Sequence, residues 1–158
     1  MTTATTSRLA DLVRIYEGSD GAATTRLYDE LAALGPAGEV ALNLFRANKC
    51  SERAKSYRGG IPGKGTYRAM AYNRKEWSMA NLCRVLMAHA DALGIRWGWQ
   101  RDPAAPKYVW ALYSETPVGQ VSFHTEYRGQ GPDYPGQWDG VRGASVERIL
   151  QWTAGLLE

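Results

Sequence analysis

At 158 residues and a net charge of +3, the chain is long enough to bury roughly 70% of its unfolded surface without a disulfide or metal staple. Its cysteines, Cys50 and Cys83, and its histidines, His89 and His124, stand apart in the chain with neither metal-ligand nor disulfide-framework spacing. The expectation is two reduced, buried thiols and no metal or other cofactor. No run approaches the roughly 18 to 20 apolar residues of a spanning helix, and the opening MTTATTSRLADL lacks the basic and apolar regions of a signal peptide. The sequence therefore predicts a cytoplasmic protein of one domain, 1–158, with no membrane contact.

Leu9, Leu12, Val13 and Tyr16 recur at i, i+3, i+4 and i+7, the apolar face of a helix over about 6–17 that Gly18 ends. Leu27, Leu31 and Leu34 predict a second helix over about 22–34, stopped at Gly35, with Pro36 placed to open a third. The third helix, about 36–57, turns Val40, Leu44, Ala47 and Ala54 inward. On another side it carries Arg46, Lys49, Arg53 and Tyr57, which fall within about 80° of one another at 100° per residue. GGIPGKGT, with four glycines and a proline, reads as a loop over 59–66. The next helix is expected to start near Ser78 as N-cap and to bury Met79, Leu82, Cys83, Leu86, Ala90 and Leu93 before Gly94 ends it.

From residue 95 the apolar period shortens from 3.6 to 2. Ile95, Trp97 and Trp99 share one side, followed by Tyr108, Trp110 and Leu112, and then by Val121, Phe123 and Thr125. Three strands follow, the last two joined at Thr116-Pro117-Val118-Gly119, a sequence suited to a type I turn with a bulge. The run GQGPDYPGQWDGVRG over 129–143 is a long, aromatic-bearing loop of the kind that carries function. A last helix over about 145–157, capped by Ser145, presents Ile149, Leu150, Trp152 and Leu156. The fold class is α+β: N-terminal helices, then a three-stranded antiparallel meander with the C-terminal helix packed on it.

Charge is distributed unevenly along this order. Residues 46–75 hold nine basic side chains against one acid, Glu52, for a local charge of +8, while the remainder sums to −5. Such asymmetry points to an anionic partner. Arg46, Lys49, Arg53, Lys64, Arg68 and Arg74 are candidate phosphate contacts, and Tyr57, Tyr67, Tyr72 and Trp77 are interleaved with them as surfaces for base stacking. The competing reading is a solvated face whose cations pair with the acidic remainder.

GGIPGKGT is not a P-loop, because only three residues separate Gly59 from Gly63, Gly65 follows Lys64, and a helix rather than a strand leads in. Its backbone N–H groups and Lys64 could still hold a phosphate as a nest. His124 precedes the long loop, where Arg128, Asp133, Tyr134, Trp138 and Asp139 could complete a polar pocket with aromatic walls. The plainer reading ties Asp133 and Asp139 into the loop's own turns, and gives His89 a packing role on its helix. No Gly-x-Ser-x-Gly elbow and no paired His-x-Thr motif occurs.

The stretches LFRANKCSERAKSYRGG, YRAMAYNRKEWSMANLC, WGWQRDP and PVGQVSFHTEYRGQGPDYPGQWDG resemble a group of uncharacterised accessory proteins encoded by bacteriophages and prophages. The resemblance covers about residues 27–152 and leaves out the first helix. It implies the cytoplasm of an infected or lysogenic bacterium, and a role in countering host defences or modulating nucleic acid transactions. It brings no catalytic residue with it.

The first functional expectation is a binding protein for a nucleotide, a nucleotide-derived signal or a nucleic acid, using Arg46, Lys49, Arg53, Tyr57, Lys64, Arg68, Arg74, Arg128, Tyr134 and Trp138. The second is a small nucleotide-directed hydrolase with His124 as acid or base, helped by Asp133 or Asp139. The third is an inhibitor that occupies a host protein's nucleic-acid site. Oligomeric state is not legible in these residues.

Overall fold

The computed structural model describes residues 3–18, 20–56, 67–101, 109–126 and 145–158. Among them are five helices and one antiparallel sheet: α1 (Thr3–Glu17), α2 (Gly21–Ala32), α3 (Pro36–Ser56), α4 (Tyr67–Leu93), β1 (Arg96–Arg101), β2 (Val109–Thr116), β3 (Gly119–Glu126) and α5 (Val146–Leu156). The α+β class read from the sequence is the class of the molecule.

Local chemistry sets most of the helix ends. The carboxylate of Asp20 accepts from Ala23 N at 3.1 Å and caps α2, satisfying one donor that the first turn leaves open. α2 stops at Gly35, whose φ of 82° is left-handed, and Pro36 opens α3 as expected. Gly38 then lets the two helices meet closely, since a Cβ there would lie 1.8 Å from the Leu31 carbonyl oxygen.

The fourth helix is a correction to the expected start at Ser78. It begins at Tyr67, and Ser78 lies inside it, 2% exposed, with its Oγ donating to Lys75 O at 2.8 Å. Residues 67–77 contain good helix formers and neither glycine nor proline. Ala71 is buried on this stretch, and so small a side chain leaves almost no apolar period to read. α4 runs antiparallel to α3. His89, expected to serve in packing, pairs with the carboxylate of Glu39 at the start of α3, while Ala71 and Arg74 of α4 lie beside Arg53 near its end.

The core gathers Leu12 of α1, Leu27 and Leu31 of α2, Val40, Leu44 and Phe45 of α3, Met79, Leu82, Cys83 and Leu86 of α4, and Ile149, Leu150 and Ala154 of α5. Phe45 is its pivot, meeting Tyr16 edge-on at 5.4 Å and Tyr28 edge-on at 6.2 Å between ring centres. Each such aromatic pair adds about 0.5–1.5 kcal/mol beyond area burial. Both cysteines are free, Cys83 buried and Cys50 half-buried.

The sheet has the order β1-β2-β3. Its register aligns Trp97 with Ser114 and Val121, Trp99 with Leu112 and Phe123, and Arg101 with Trp110 and Thr125. The residues grouped by the two-residue period therefore do fall in common cross-strand rows; Tyr108 lies outside the described residues. Pro117 and Val118 form the hairpin turn. The Thr116 hydroxyl donates to Gly119 O at 2.7 Å, and Gly119 has a positive φ of 114°. Thr116 stands directly opposite Gly119 and the one-to-one register continues to Val109 and Glu126, so the two-residue turn closes without the bulge the sequence suggested. Val118, Val121 and Ile95 bring this end of the sheet into the core.

Ser145 caps α5 by accepting from Arg148 N at 3.2 Å. Among the described residues α5 has α3 and α1 as its principal neighbours rather than the sheet on which the sequence places it. Its buried Ile149, Leu150 and Ala154 fill the helical part of the core, so the sheet and α5 share a core without stacking face to face.

Candidate functional site

The surface of α3 between α2 and α4 is a groove of about 520 Å³. Arg46, Lys49, Cys50 and Arg53 line it from α3, at the i, i+3, i+4 and i+7 spacing that puts them on one side of a helix. Thr24 and Tyr28 contribute from α2, and Ala71, Arg74 and Trp77 from α4. Thus the basic stripe legible on one helix is joined by a cation and an aromatic ring from another. Trp77 is 58% exposed, a large apolar surface to leave in water at the rim of a groove.

Several surface cations are paired with carboxylates, whereas the arginines of this groove, like Arg26 and Arg148 elsewhere, have no such partner among the described residues. Arg8 pairs with Glu30, Arg14 with Asp11, Lys55 with Glu52, and Arg96 with Glu115 through two bonds of 2.9 Å. Among the described residues, Arg46, Arg53 and Arg74 make no ion pair and no side-chain hydrogen bond. All three are exposed. Their five-donor guanidinium forks face solvent with the geometry that carboxylates and phosphates match.

Lys49 behaves differently. Its ammonium donates to Ile15 O at 2.7 Å and Gly18 O at 3.0 Å, closing carbonyls that the end of α1 leaves without helical partners. Burial lowers its pKa from the ordinary lysine value, while Cys50 and Arg53 act on it in opposite senses. It belongs as much to a neighbouring cavity of about 550 Å³ lined by Tyr16, Glu17, Gly18, Glu52 and Arg53. The positive groove therefore gives way to acidic residues beyond Arg53.

Two phenols border these cavities, and both are neutral at physiological pH. Burial raises Tyr28 to about 12, with Cys50 adding to the rise and Arg46 opposing it. Burial likewise raises Tyr16 to about 12, reinforced by Glu52 and Cys50. Tyr28 therefore gives the groove an uncharged aromatic wall, which suits an anionic occupant better than a phenolate would.

Of the residues singled out in the sequence, the structure brings together Arg46, Lys49, Arg53, Arg74 and Trp77. Arg68 and Tyr72 lie on α4 and His124 on β3, opposite Ala111 in register, and their side chains fall outside the described residues. Tyr57, Lys64, Arg128, Asp133, Tyr134, Trp138 and Asp139 lie outside them altogether. Tyr67 opens α4. Sequence reasoning missed Thr24, Tyr28, Cys50 and Ala71. Tyr28 left one trace, an aromatic immediately beside the Leu27–Leu31 stripe.

Among the described residues no group of three or more His, Cys, Asp or Glu side chains could hold a metal ion, and no helix is long and apolar enough to cross a membrane. No family model, curated protein or solved structure matches the chain significantly.

Proposed function

We propose that the groove between α2, α3 and α4 binds a phosphate-bearing ligand, a nucleotide-like molecule or a nucleic acid. The chain would then be a phage-type accessory protein acting in the cytoplasm of a bacterial host, in the countering of host defences or the control of nucleic acid transactions. One observation carries the reading: Arg46, Arg53 and Arg74 converge on a single groove with no carboxylate partner among the described residues, next to an exposed Trp77.

Unpaired guanidinium groups gathered by folding repel one another, and an anion supplied from outside relieves that repulsion. Stacking on an aromatic ring adds about 1–3 kcal/mol per base. Direct titration with oligonucleotides and nucleotides at several salt concentrations tests the proposal. Affinity is expected to fall linearly on a log–log plot as salt rises, because binding releases counterions. Affinity indifferent to salt, or no binding to any phosphorylated ligand, would end it.

A further inference from the structure

We infer that the occupant of the groove is a segment of single-stranded nucleic acid, held with little regard to base sequence, rather than a duplex or a lone nucleotide. This inference rests on the phosphate-binding reading above and narrows it.

The spacing of the cations is the first ground. Arg46 and Arg53 lie seven residues apart on α3, which at about 1.5 Å per residue is roughly 10 Å along the helix axis, with only about 20° of rotation between them. Arg74 faces them from α4, which runs the other way. Charges strung over that length follow a chain that carries a phosphate at every nucleotide. At a stacked spacing of about 3.4 Å, roughly three nucleotides cover it. A nucleoside monophosphate, with its single phosphate, would leave one end of the row unanswered.

Shape and chemistry separate single strand from duplex. Proteins that read duplexes push a protruding helix or ribbon into a major groove about 12 Å wide. Here the basic helix is the middle one, recessed between α2 and α4, so the protein is concave where a duplex reader is convex. Trp77 is the second discriminator. Its exposed indole stacks only on a base with a free face, and in a duplex interior the neighbouring pairs occupy those faces. The described lining of the groove includes no Asn, Gln, Asp or Glu, the side chains that read adenine and cytosine edges. With the arginines, which could otherwise read guanine, engaged on phosphates, binding is expected to tolerate sequence.

The test is competition fluorescence anisotropy on the full-length protein, using a labelled mixed-sequence oligonucleotide of about 10 nucleotides. The competitors are the same sequence as a duplex, a mononucleotide and poly-glutamate. The single strand is expected to bind at least about tenfold tighter than the duplex, and W77A to weaken it by roughly 5- to 100-fold. W77F should keep most of the affinity, because a phenyl ring still stacks; Trp77 is exposed, and a circular dichroism melt checks that both variants fold.

Equal affinity for single strand and duplex, competition by the mononucleotide as effective as by the oligonucleotide, or an unaffected W77A would overturn the single-strand inference. With salt-dependent binding retained, any of those results leaves the phosphate-binding proposal standing. Binding of poly-glutamate in place of nucleic acid, or of nothing, overturns both.

Discussion

Lys49 donates to the backbone carbonyl of Ile15 at 2.7 Å, across 34 residues of sequence. The bond, with its companion to Gly18, sets a cation at the negative end of the α1 dipole and holds that helix against α3. A lysine that the charge pattern groups with the groove arginines is thereby a structural tie.

Replacing that tie separates stability from binding. Lys49→Met is expected to cost about 1.5–3 kcal/mol of stability, the usual range for hydrogen bonds to a charged group, read as a lower urea midpoint. Its effect on oligonucleotide affinity should be smaller than that of Arg53→Ala. An equal loss of affinity in both variants would return Lys49 to the ligand.

The exposed arginines predict the reverse. Arg46→Ala, Arg53→Ala and Arg74→Ala should each leave unfolding free energy within about 0.5 kcal/mol of the parent, as for surface positions generally. Each should also reduce the slope of log K against log salt by about 0.7, one phosphate contact on a single strand. Slopes measured at four or five salt concentrations decide the matter.

Among the described residues the buried hydroxyl oxygen of Tyr16 has no hydrogen-bond partner, so Tyr16→Phe should stabilise the protein by about 1 kcal/mol. The same substitution changes the alkaline limb. Because the folded pKa is about 12 against 10.0 ordinarily, the neutral phenol's contribution is complete below pH 10 and lost as pH rises toward 12. That portion of the alkaline destabilisation should vanish in the variant, leaving the similar portion due to Tyr28. Urea melts at a series of pH values between 8 and 12 test it.

Glu76 is half-buried on α4, and burial raises its pKa above the ordinary carboxylate value despite the opposing charge of Lys75. The fold thus favours its protonated form: that contribution is full below the unfolded pKa of about 4.3 and lost as pH rises through the folded value. Glu76→Gln should therefore be more stable than the parent at pH 7, by less than about 1 kcal/mol given the solvent screening, and no more stable at pH 4. Paired melts at the two pH values show whether the gain shrinks with acid.

Gly38 predicts a loss where helix propensity predicts a gain. Alanine favours a helix interior over glycine by about 1 kcal/mol, but a Cβ here would stand 1.8 Å from Leu31 O, a backbone atom. Gly38→Ala is expected to cost about 1–3 kcal/mol, the range for overpacking, as a lowered melting temperature. A neutral or stabilising result would show that α2 and α3 can separate freely.

Periodicity and end chemistry made most elements readable in advance. Leu9, Leu12, Val13 and Tyr16 marked α1, Gly35-Pro36 divided α2 from α3, Ser145 capped α5, and the Pro117–Gly119 turn fixed a hairpin, because each is local and written in consecutive residues. The first three turns of α4 escaped, since a helix whose inward side chain is alanine shows no apolar period. The placement of α5 escaped because one apolar stripe suits a helix or a sheet equally well.

At the candidate site the chain order of Arg46, Lys49 and Arg53 already dictates one shared side of a helix, by geometry that any α-helix obeys. Which of those cations has a partner, and which stands open, was beyond linear reading. Lys49 found the end of α1, while Arg74, Trp77 and Tyr28 arrived at the same groove from helices packed on either side. Such meetings depend on long-range packing around Phe45, and no spacing along the chain encodes them by itself.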